Sequence, residues 1–361
     1  MSPALLGLRE WISPSSVRRP SVPPMDAGLR PNDLLDKARE LTPAGQHEAD
    51  DVAVLPDGRV WFSAGSSVWS ASARGSRVVA ELGGPVGALA QDGDGVLAAV
   101  EGRGVLHVAG DGTVTESCVD PLVQHCVTAL TVSSGTDLLV CVGSTAYDVS
   151  GWGRALLAGD RSGALVTVIG GLAAVAAQGL AWPSGVARDG DDAVLVSLSF
   201  AHTIERRALG RLGQPGKRLL GNLPFYPGRI RESVGGWAVA APYVRNRATE
   251  LVLDEPELCR DLAKEVSEGE WPVPRLRLQN PYRDPLQLGQ LRVLGVLKPW
   301  APARSYGLVL TLGRDGRVQS SYHSRVDGSR HGVTGVVESD GRLIVAARGA
   351  RCLLDLGELQ P

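Results

Sequence analysis

The sequence predicts an all-β protein, a six-bladed β-propeller with a helical insertion between blades 5 and 6. The main observation is a unit that recurs six times: an apolar pair, a short turn rich in Asp and Gly, and a second apolar run. The first copies begin about 37 and 40 residues apart, a period typical of four-stranded propeller blades. The chain also contains 45 Gly and 23 Pro among 361 residues, which indicates many tight turns.

Each copy is expected to be a β-hairpin, because Asp-Gly and Gly-Gly pairs supply the positive φ angles that tight turns need. A two-sheet sandwich is the alternative, and the regular spacing favours the propeller. The six copies cover residues 52–62, 88–100, 129–140, 186–196, 230–240 and 336–346.

The chain divides into a flexible N-terminal segment, residues 1–30, and a single propeller domain, residues 31–361. Nearly a hundred residues separate the fifth and sixth copies, and residues 254–270 within this gap have the pattern of an amphipathic helix. This helix lies across one face of the propeller either as a lid over a binding site or as a packing element. A shorter helix, capped by Asn32, is predicted over residues 31–41.

Composition excludes several classes of partner. With 37 Lys+Arg against 39 Asp+Glu, the chain lacks the cationic field that nucleic-acid binding requires.

Residues 162–187 are uncharged and long enough to span a membrane, but their glycines and β-branched residues favour two buried strands joined at Gly170-Gly171. Five scattered cysteines without a CxxC pair indicate buried, reduced thiols in a cytoplasmic protein.

No phosphate-binding loop, dinucleotide fingerprint or nucleophile elbow occurs in the sequence. We therefore expect a small molecule, rather than a nucleotide, as the partner, and no organic cofactor. The oligomeric state is left open by the sequence.

Several segments resemble the strictosidine synthase-like family of six-bladed propellers. They are Gly179-Leu-Ala-Trp-Pro-Ser-Gly-Val-Ala187, Leu223-Pro-Phe-Tyr-Pro-Gly-Arg-Ile230, the segments 235–240, 244–246, 298–302 and 305–307, and Arg330-His-Gly332. The resemblance covers roughly residues 45–356 and extends to gluconolactonase- and paraoxonase-type lactonases. It implies an active site at the mouth of the central channel, where the innermost strands converge.

The resemblance also bears on a metal. The lactonases hold Ca²⁺ with a Glu, an Asn and an Asp, and the matching positions here are Asp50, Ser184 and Gly228, followed by Arg229. Because a hard cation needs several anionic or carbonyl oxygens, we expect no metal at these positions. The alternative is a Ca²⁺-dependent lactonase that uses Glu48 or Asp51 as substitute ligands.

In strictosidine synthase, a Glu shortly after a His in the last blade is the general base. His331 matches that histidine, but positions 333 and 334 carry no carboxylate. What the resemblance implies is the scaffold and the pocket, and hence a metal-independent enzyme that uses acid/base chemistry on a partly hydrophobic metabolite. Lyase, cyclase and hydrolase reactions all fit, and a non-catalytic propeller that binds a ligand or a protein is the third alternative.

The candidate catalytic residues are His331, His323 and Asp50. Two imidazoles beside Arg325 suit proton transfer and anion binding; alternatively, the arginines and Asp327 form a surface network and the histidines bond to backbone. Asp50 is either a general base or the ion-pair partner of Arg229 across the channel.

The candidate pocket residues share positions at blade entrances or at the ends of apolar strands. The aromatic ones either line an apolar pocket or pack the blades together, and Arg245 either binds ligand or neutralises a buried carboxylate. The set is Trp182, Ser184, Tyr226, Arg229, Arg245, Trp300, Tyr306 and Arg325.

Overall fold

The computed structural model describes residues 29–72, 74–134, 137–277 and 305–358, together with residues 22, 23, 25, 292, 293, 296 and 297. In this part of the chain the strands form six four-stranded antiparallel sheets and two two-stranded sheets. The innermost strand of each large sheet contacts the innermost strand of the next, and the last contacts the first. The sheets are therefore the blades of a closed ring, which confirms the predicted six-bladed β-propeller.

The first half of the chain carries β1 (Arg39–Glu40), β2 (Val52–Val54), β3 (Val60–Ala64), β4 (Ser67–Ser72), β5 (Gly75–Glu81), β6 (Val86–Asp92), β7 (Gly95–Val100), β8 (Gly104–Val108), β9 (Val114–Cys118), β10 (Val127–Ser134), β11 (Asp137–Val142), β12 (Gly163–Ile169) and β13 (Leu172–Leu180). The second half carries β14 (Pro183–Asp189), β15 (Ala193–Leu198), β16 (Thr203–Ala208), β17 (Lys217–Leu220), β18 (Phe225–Tyr226), β19 (Ile230–Ser233), β20 (Gly236–Ala240), β21 (Tyr243–Val244), β22 (Arg292–Val293), β23 (Val296–Leu297), β24 (Gly307–Gly313), β25 (Val318–Ser324), β26 (Val333–Ser339), β27 (Arg342–Ala347) and β28 (Cys352–Glu358).

Blades 1 to 4 are β2–β5, β6–β9, β10–β13 and β14–β17. Blade 5 consists of β19, β20, β24 and β25, and blade 6 consists of β26, β27, β28 and β1. The helices are α1 (Trp152–Leu157), α2 (Arg247–Leu253) and α3 (Pro256–Glu265), with short 3₁₀ turns at Pro121–Val123, Val149–Gly151, Ser199–Ala201, Leu209–Arg211 and Glu268–Glu270.

The six sequence repeats are the inner hairpins of the six blades. The first repeat, for example, pairs Val52 with Phe62 through a turn in which Gly58 has a φ of 82°. The second strand of a blade is covered on both faces by neighbouring blades, and β7, β15 and β20 are buried along their whole length. This explains why the second apolar run of each repeat is continuous rather than alternating.

The ring is closed by the N-terminal strand. Arg39 and Glu40 in β1 pair with Asp355 and Leu354 in β28. The helix predicted over residues 31–41 is wrong, because pairing with a distant strand overrides the local propensity; Asn32 instead accepts a hydrogen bond from the Leu34 amide at 3.1 Å within a turn. Residues 1–21 of the predicted flexible segment lie outside the described residues.

The helical insertion exists, but it lies within blade 5, between β20 and β24, and not between blades 5 and 6 as predicted. The fifth repeat supplies the inner hairpin of blade 5, and the two outer strands follow after the insertion. Helix α3 falls inside the predicted range 254–270 and packs against α1 and α2. Helix α2 begins with the side chain of Asn246 accepting the Thr249 amide at 2.8 Å.

The uncharged segment forms β12 and β13 with a turn at Gly170-Gly171, as predicted, although β13 is largely exposed rather than buried. In the described ranges no helix has the length and apolar character of a membrane span. The five cysteines are all buried and form no disulfide.

Candidate active site at the channel mouth

The central channel is crossed by the guanidinium of Arg229, which lies just before the innermost strand of blade 5. Its Nη1 donates to the carbonyl oxygens of Asp50 at 2.9 Å and Thr334 at 2.8 Å, and its Nε donates to the carbonyl oxygen of Thr128 at 3.1 Å. Its Nη2 donates to the Asp50 carboxylate at 2.6 Å and to the carbonyl oxygen of Gly87 at 2.5 Å. One side chain of blade 5 thus joins blades 1, 2, 3 and 6.

The inner strands approach closely enough for this because a glycine lies near the start of several of them. A Cβ on Gly87 would lie 2.2 Å from the carbonyl oxygen of Val127 in the next blade, and one on Gly185 would lie 2.4 Å from that of Gly228. Neither contact is sterically allowed, so these two positions require glycine. The carbonyl oxygen of Gly87 is one of the acceptors that Arg229 reaches.

A second ion pair lies beside the first. Asp51 is fully buried and accepts from Arg231 at 2.8 Å, from the Leu89 amide at 2.9 Å and, in an ion pair, from Arg229 Nε at 3.2 Å. Buried carboxylates need such partners, because an unpaired charge in a low-dielectric interior is very costly. Asp51 is therefore a structural group rather than one that faces a ligand.

Asp50 connects the buried pair to solvent. Its second oxygen accepts from Arg348 at 3.0 Å, and the Arg348 side chain, on the loop after β27, is 34% exposed while that of Asp50 is 9% exposed. Burial by itself raises the pKa of Asp50, but Arg229 and Arg348 outweigh it and hold the pKa below its ordinary value. Asp50 therefore pairs with Arg229, which is the second of the two predicted interpretations.

Two connected cavities open above this pair. The inner one, here called the channel mouth, has a volume of about 70 Å³. The outer one, the vestibule, has a volume of about 300 Å³ and shares Trp152, Tyr243, Leu276 and Arg348 with the channel mouth. Arg348 thus lines both cavities, and its guanidinium forms an ion pair with Asp50.

An aromatic pair forms one wall shared by both cavities. The rings of Trp152, from α1, and Tyr243, from β21, stack with centroids 3.8 Å apart and an angle of 20°. Burial raises the pKa of Tyr243 to about 12, so its hydroxyl keeps its proton at neutral pH. The wall offers apolar area to a ligand, with the phenolic hydroxyl close by.

Glu48 lines the vestibule together with Arg348. It is half-exposed, and its carboxylate forms ion pairs with Arg277 at 3.6 Å and Arg351 at 3.8 Å. The Asp50 charge raises the pKa of Arg348 against the effect of burial, and Glu48 adds to this. A carboxylate and a guanidinium therefore line one cavity, an arrangement that suits a base and an oxyanion-stabilising group acting on the same ligand.

The predicted histidines lie elsewhere. His331 contacts the Ser305 hydroxyl at 2.9 Å and the carbonyl oxygen of Arg325 at 2.7 Å, and His323 contacts the Tyr306 hydroxyl at 3.0 Å and the Ser321 hydroxyl at 2.9 Å. Both are buried and neither lines the channel mouth or the vestibule. Burial lowers the pKa of both, that of His323 to about 4.

The other predicted pocket residues fall into two groups. Trp182, Ser184 and Arg229 line the channel mouth, and Trp182 has a φ of 53°, in the left-handed region that bulky residues rarely adopt. Those outside it are Tyr226 and Arg245, which contact the buried Glu250, Tyr306, which contacts His323, and Arg325, which is exposed. Trp300 lies outside the described residues.

The residues at the channel do not fit a calcium ion. Asp50 and Asp51 are each bound by two guanidinium groups, and the hydroxyl of Ser184 donates to the carbonyl oxygen of Pro227 at 2.6 Å. Glu48 stands apart from both aspartates, with arginine partners of its own. Among the described residues no cluster of three or more His, Cys, Asp or Glu has the geometry of a metal site. The Arg229 guanidinium occupies the place on the axis where oxygens converge.

Sequence reasoning missed Arg348, Trp152 and Tyr243. A signal existed for Arg348, which directly follows the buried run Ile344-Val-Ala-Ala347 of the sixth repeat. A charged residue that directly follows a buried strand of an inner hairpin lies close to the central channel. No pattern marked Trp152 or Tyr243, because each lies in a connection between the second and third strands of a blade.

No protein-family model and no curated protein sequence matches the chain. Solved structures do match. Regucalcin, a calcium-binding protein from Agrobacterium tumefaciens, has a TM-score of 0.56 and 12% identity over 89% of this chain and 93% of that chain. A gluconolactonase from Xanthomonas campestris has a TM-score of 0.55 and 11% identity over 89% of this chain and 90% of that chain.

Likeness at this level of identity concerns the fold. The chain is similar in structure to six-bladed propellers of the gluconolactonase and regucalcin type. Neither comparison shows the strictosidine synthase-like assignment, which stays a prediction from sequence.

Proposed function

We propose that the protein is a small-molecule hydrolase that cleaves a partly apolar ester or lactone in the vestibule, without a metal. The observation that carries the proposal is that Glu48 and Arg348 line the same cavity, with Arg348 held by Asp50 at 3.0 Å. The structural likeness to a gluconolactonase supports lactones as the first substrates to test.

The proposed reaction needs two groups of the chain. Glu48 accepts a proton from a water molecule as its oxygen attacks the substrate carbonyl carbon. Arg348 donates to the oxyanion that forms, and the Glu48 carboxylic acid returns its proton to the alkoxide when the carbon–oxygen bond breaks. The products are a carboxylic acid and an alcohol, and Glu48 ends in its starting state.

Asp50 acts as a positioning residue in this scheme. It fixes Arg348 and leaves part of the guanidinium in the cavity, so little reorganisation is needed as charge develops on the substrate. The stacked rings of Trp152 and Tyr243 bind the apolar part of the substrate. His331 and His323 receive no catalytic role, because their ring nitrogens contact protein groups away from the cavity.

The test is hydrolysis of a panel of lactones and aryl esters by chelator-treated protein. We expect Glu48→Gln to lower kcat by roughly 100-fold or more and Arg348→Met to lower it by roughly 100- to 1000-fold. Glu268→Gln is the matched control, because Glu268 is another half-exposed vestibule carboxylate with an arginine partner, at 3.6 Å. Equal activity of Glu48→Gln and wild type, or activity that disappears with chelator and returns with Ca²⁺, contradicts the proposal.

A non-catalytic binding protein is the second candidate. Both carboxylate oxygens of Asp50 accept hydrogen bonds from arginine, and this favours a binding role over catalysis by Asp50. In that case we expect calorimetry to show binding of organic acids, and Arg348→Met to weaken that binding. No lactone or aryl ester of the panel would be hydrolysed. A strictosidine synthase-like condensation is tested with amine and aldehyde pairs in the same assay.

A further inference from the structure

The outer edges of the six blades are not protected equally. An exposed edge strand presents unpaired backbone groups, and proteins usually guard such edges with charged residues or cover them. Charged residues occur in four of the outermost strands: β1 (Arg39, Glu40), β5 (Arg77, Glu81), β9 (Glu116) and β17 (Lys217, Arg218).

The outermost strand of blade 5, β25, has no Lys, Arg, Asp or Glu, but residues 32–35 cover it. The Asn32 side chain donates to the carbonyl oxygen of Ser321 at 2.8 Å, and the Leu35 amide donates to that of His323 at 3.0 Å. This edge is therefore occupied by the chain itself.

Blade 3 is the exception. Its outer strand β13 reads Leu172-Ala-Ala-Val-Ala-Ala-Gln-Gly-Leu180 and has no charged residue, and in the described part of the chain no strand pairs with its free edge. At nine residues it is also the longest strand of the described residues. Its pairing with β12 is shifted by bulges at Ala176 and Gly179, so Leu172–Val175 is the regular part of this edge. A regular, uncharged and unpaired edge is the type of strand that pairs with another chain.

Apolar side chains surround this edge. Ten large apolar side chains are exposed in the described residues, and five of them flank this edge: Val119, Leu122, Ile169, Leu172 and Val175. Leu122 and Val175 line one cavity, and the turn Pro121–Val123 packs against β13. Ile169 and Leu172 are a cross-strand pair on the opposite face of the sheet, because side chains alternate along the strand from the neighbouring pair Val168 and Ala173, which packs against blade 2. Exposed apolar side chains on both faces of one sheet edge indicate an interaction site.

A groove runs beside the strand and supplies depth to this surface. It has a volume of about 570 Å³ and is lined in part by Leu122, Val142, Val166 and Val175. An apolar side chain projecting from a partner can enter this groove while the backbone groups pair at the edge.

We infer that the edge of β13 is the interface between two copies of this chain, which pair β13 antiparallel to β13 across a two-fold axis. A strand run antiparallel to itself matches its own donors and acceptors, which makes the contact isologous and closed. The uncharged stretch 162–187 lets two identical edges meet without like-charge repulsion. Paired in this way, each copy covers some of the exposed apolar side chains at the edge of the other.

The test is the oligomeric state of the full chain by light scattering and sedimentation equilibrium. The chain mass is 37.9 kDa, and we expect twice this mass at micromolar concentration. Leu172→Lys combined with Val175→Lys raises the dimer dissociation constant by about 100-fold or more, because each copy then brings like charges to the contact. Val234→Lys is the matched control, since Val234 and Leu172 are both 77% exposed but lie on different blades.

Circular dichroism and thermal unfolding establish that the lysine variants are folded, which is expected because both side chains are at the surface. A wild-type chain that is monomeric at about 100 μM, well above the dissociation constants of standard-size interfaces, overturns the inference. So does a Leu172→Lys/Val175→Lys variant that remains dimeric. The readout is independent of hydrolase activity, so failure of the proposed function does not affect it.

Discussion

Replacement of Arg229 by methionine is expected to destabilise the whole propeller. The substitution keeps the length of the side chain but removes the guanidinium that contacts blades 1, 2, 3 and 6. Asp50 keeps Arg348 and Asp51 keeps Arg231, so neither carboxylate becomes entirely unpaired. The carbonyl oxygens on the channel axis, however, lose their donor.

The magnitude follows from these losses. Breaking one partner of a buried ion pair costs about 3–5 kcal/mol, and buried acceptors that lose a hydrogen bond cost about 1–3 kcal/mol each before water enters. With water entering from the channel mouth, we expect a loss of about 4 kcal/mol in the free energy of unfolding. Arg229→Lys keeps the charge but not the planar set of donors, so about half of that loss is expected.

Urea unfolding at neutral pH measures these values. Arg317→Met is the control for the loss of an ordinary surface arginine, because Arg317 is 88% exposed and pairs with Asp315 at 3.6 Å, and it should cost less than about 1 kcal/mol. The double variant Arg229→Met/Asp50→Asn should lose less than the sum of its two single variants, because the paired groups are coupled. A cost for Arg229→Met as small as that for Arg317→Met would refute the reasoning.

Three further predictions concern other positions. The pKa of His323 is lowered to about 4 by burial, so the unfolded chain binds the proton more readily, and stability should fall by up to about 3 kcal/mol as pH drops from 6.5 to 4; urea midpoints against pH should show a smaller fall for His323→Gln. Gly87→Ala should cost more than about 2 kcal/mol in the same assay, because its Cβ would lie 2.2 Å from a carbonyl oxygen, whereas Gly269→Ala, with open space, should be nearly neutral. Because a guanidinium fills the channel axis, added Ca²⁺ or chelator should move the melting temperature in a thermal scan by less than about 1 °C; a large rise with Ca²⁺ would show that the axis holds an ion.

Much of the fold could be predicted because its signals are local. Each repeat contains a complete inner hairpin, including the turn residues that set its geometry, so the six copies give the number of blades directly. The position of the insertion could not be read in this way. The outer strands of blade 5 lack a repeat motif, and nothing local links Gly307–Gly313 to a hairpin that ends at Ala240.

The site was predictable only in part, for a related reason. Asp50 and Arg229 each lie just before the innermost strand of a blade. The alignment of the repeats therefore predicted correctly that the two side chains meet in the channel. His323 and His331 are close in sequence, which suggested a cluster, yet they lie at the outer strand of blade 5 and in the connection to blade 6. Proximity in sequence does not reveal whether a residue faces the axis or the rim of a propeller blade.

The pairing of Arg39 and Glu40 with β28 has a consequence for synthesis. Blade 6 combines residues 39–40 with residues 333–358, and the ion pair between Arg39 and Asp355, at 2.7 Å, joins residues 316 positions apart. The circle is therefore incomplete until residues 352–358 have been synthesised, and until then the earlier blades lack their last neighbour. Such long-range closure predicts slow final folding and a dependence on protection of the growing chain.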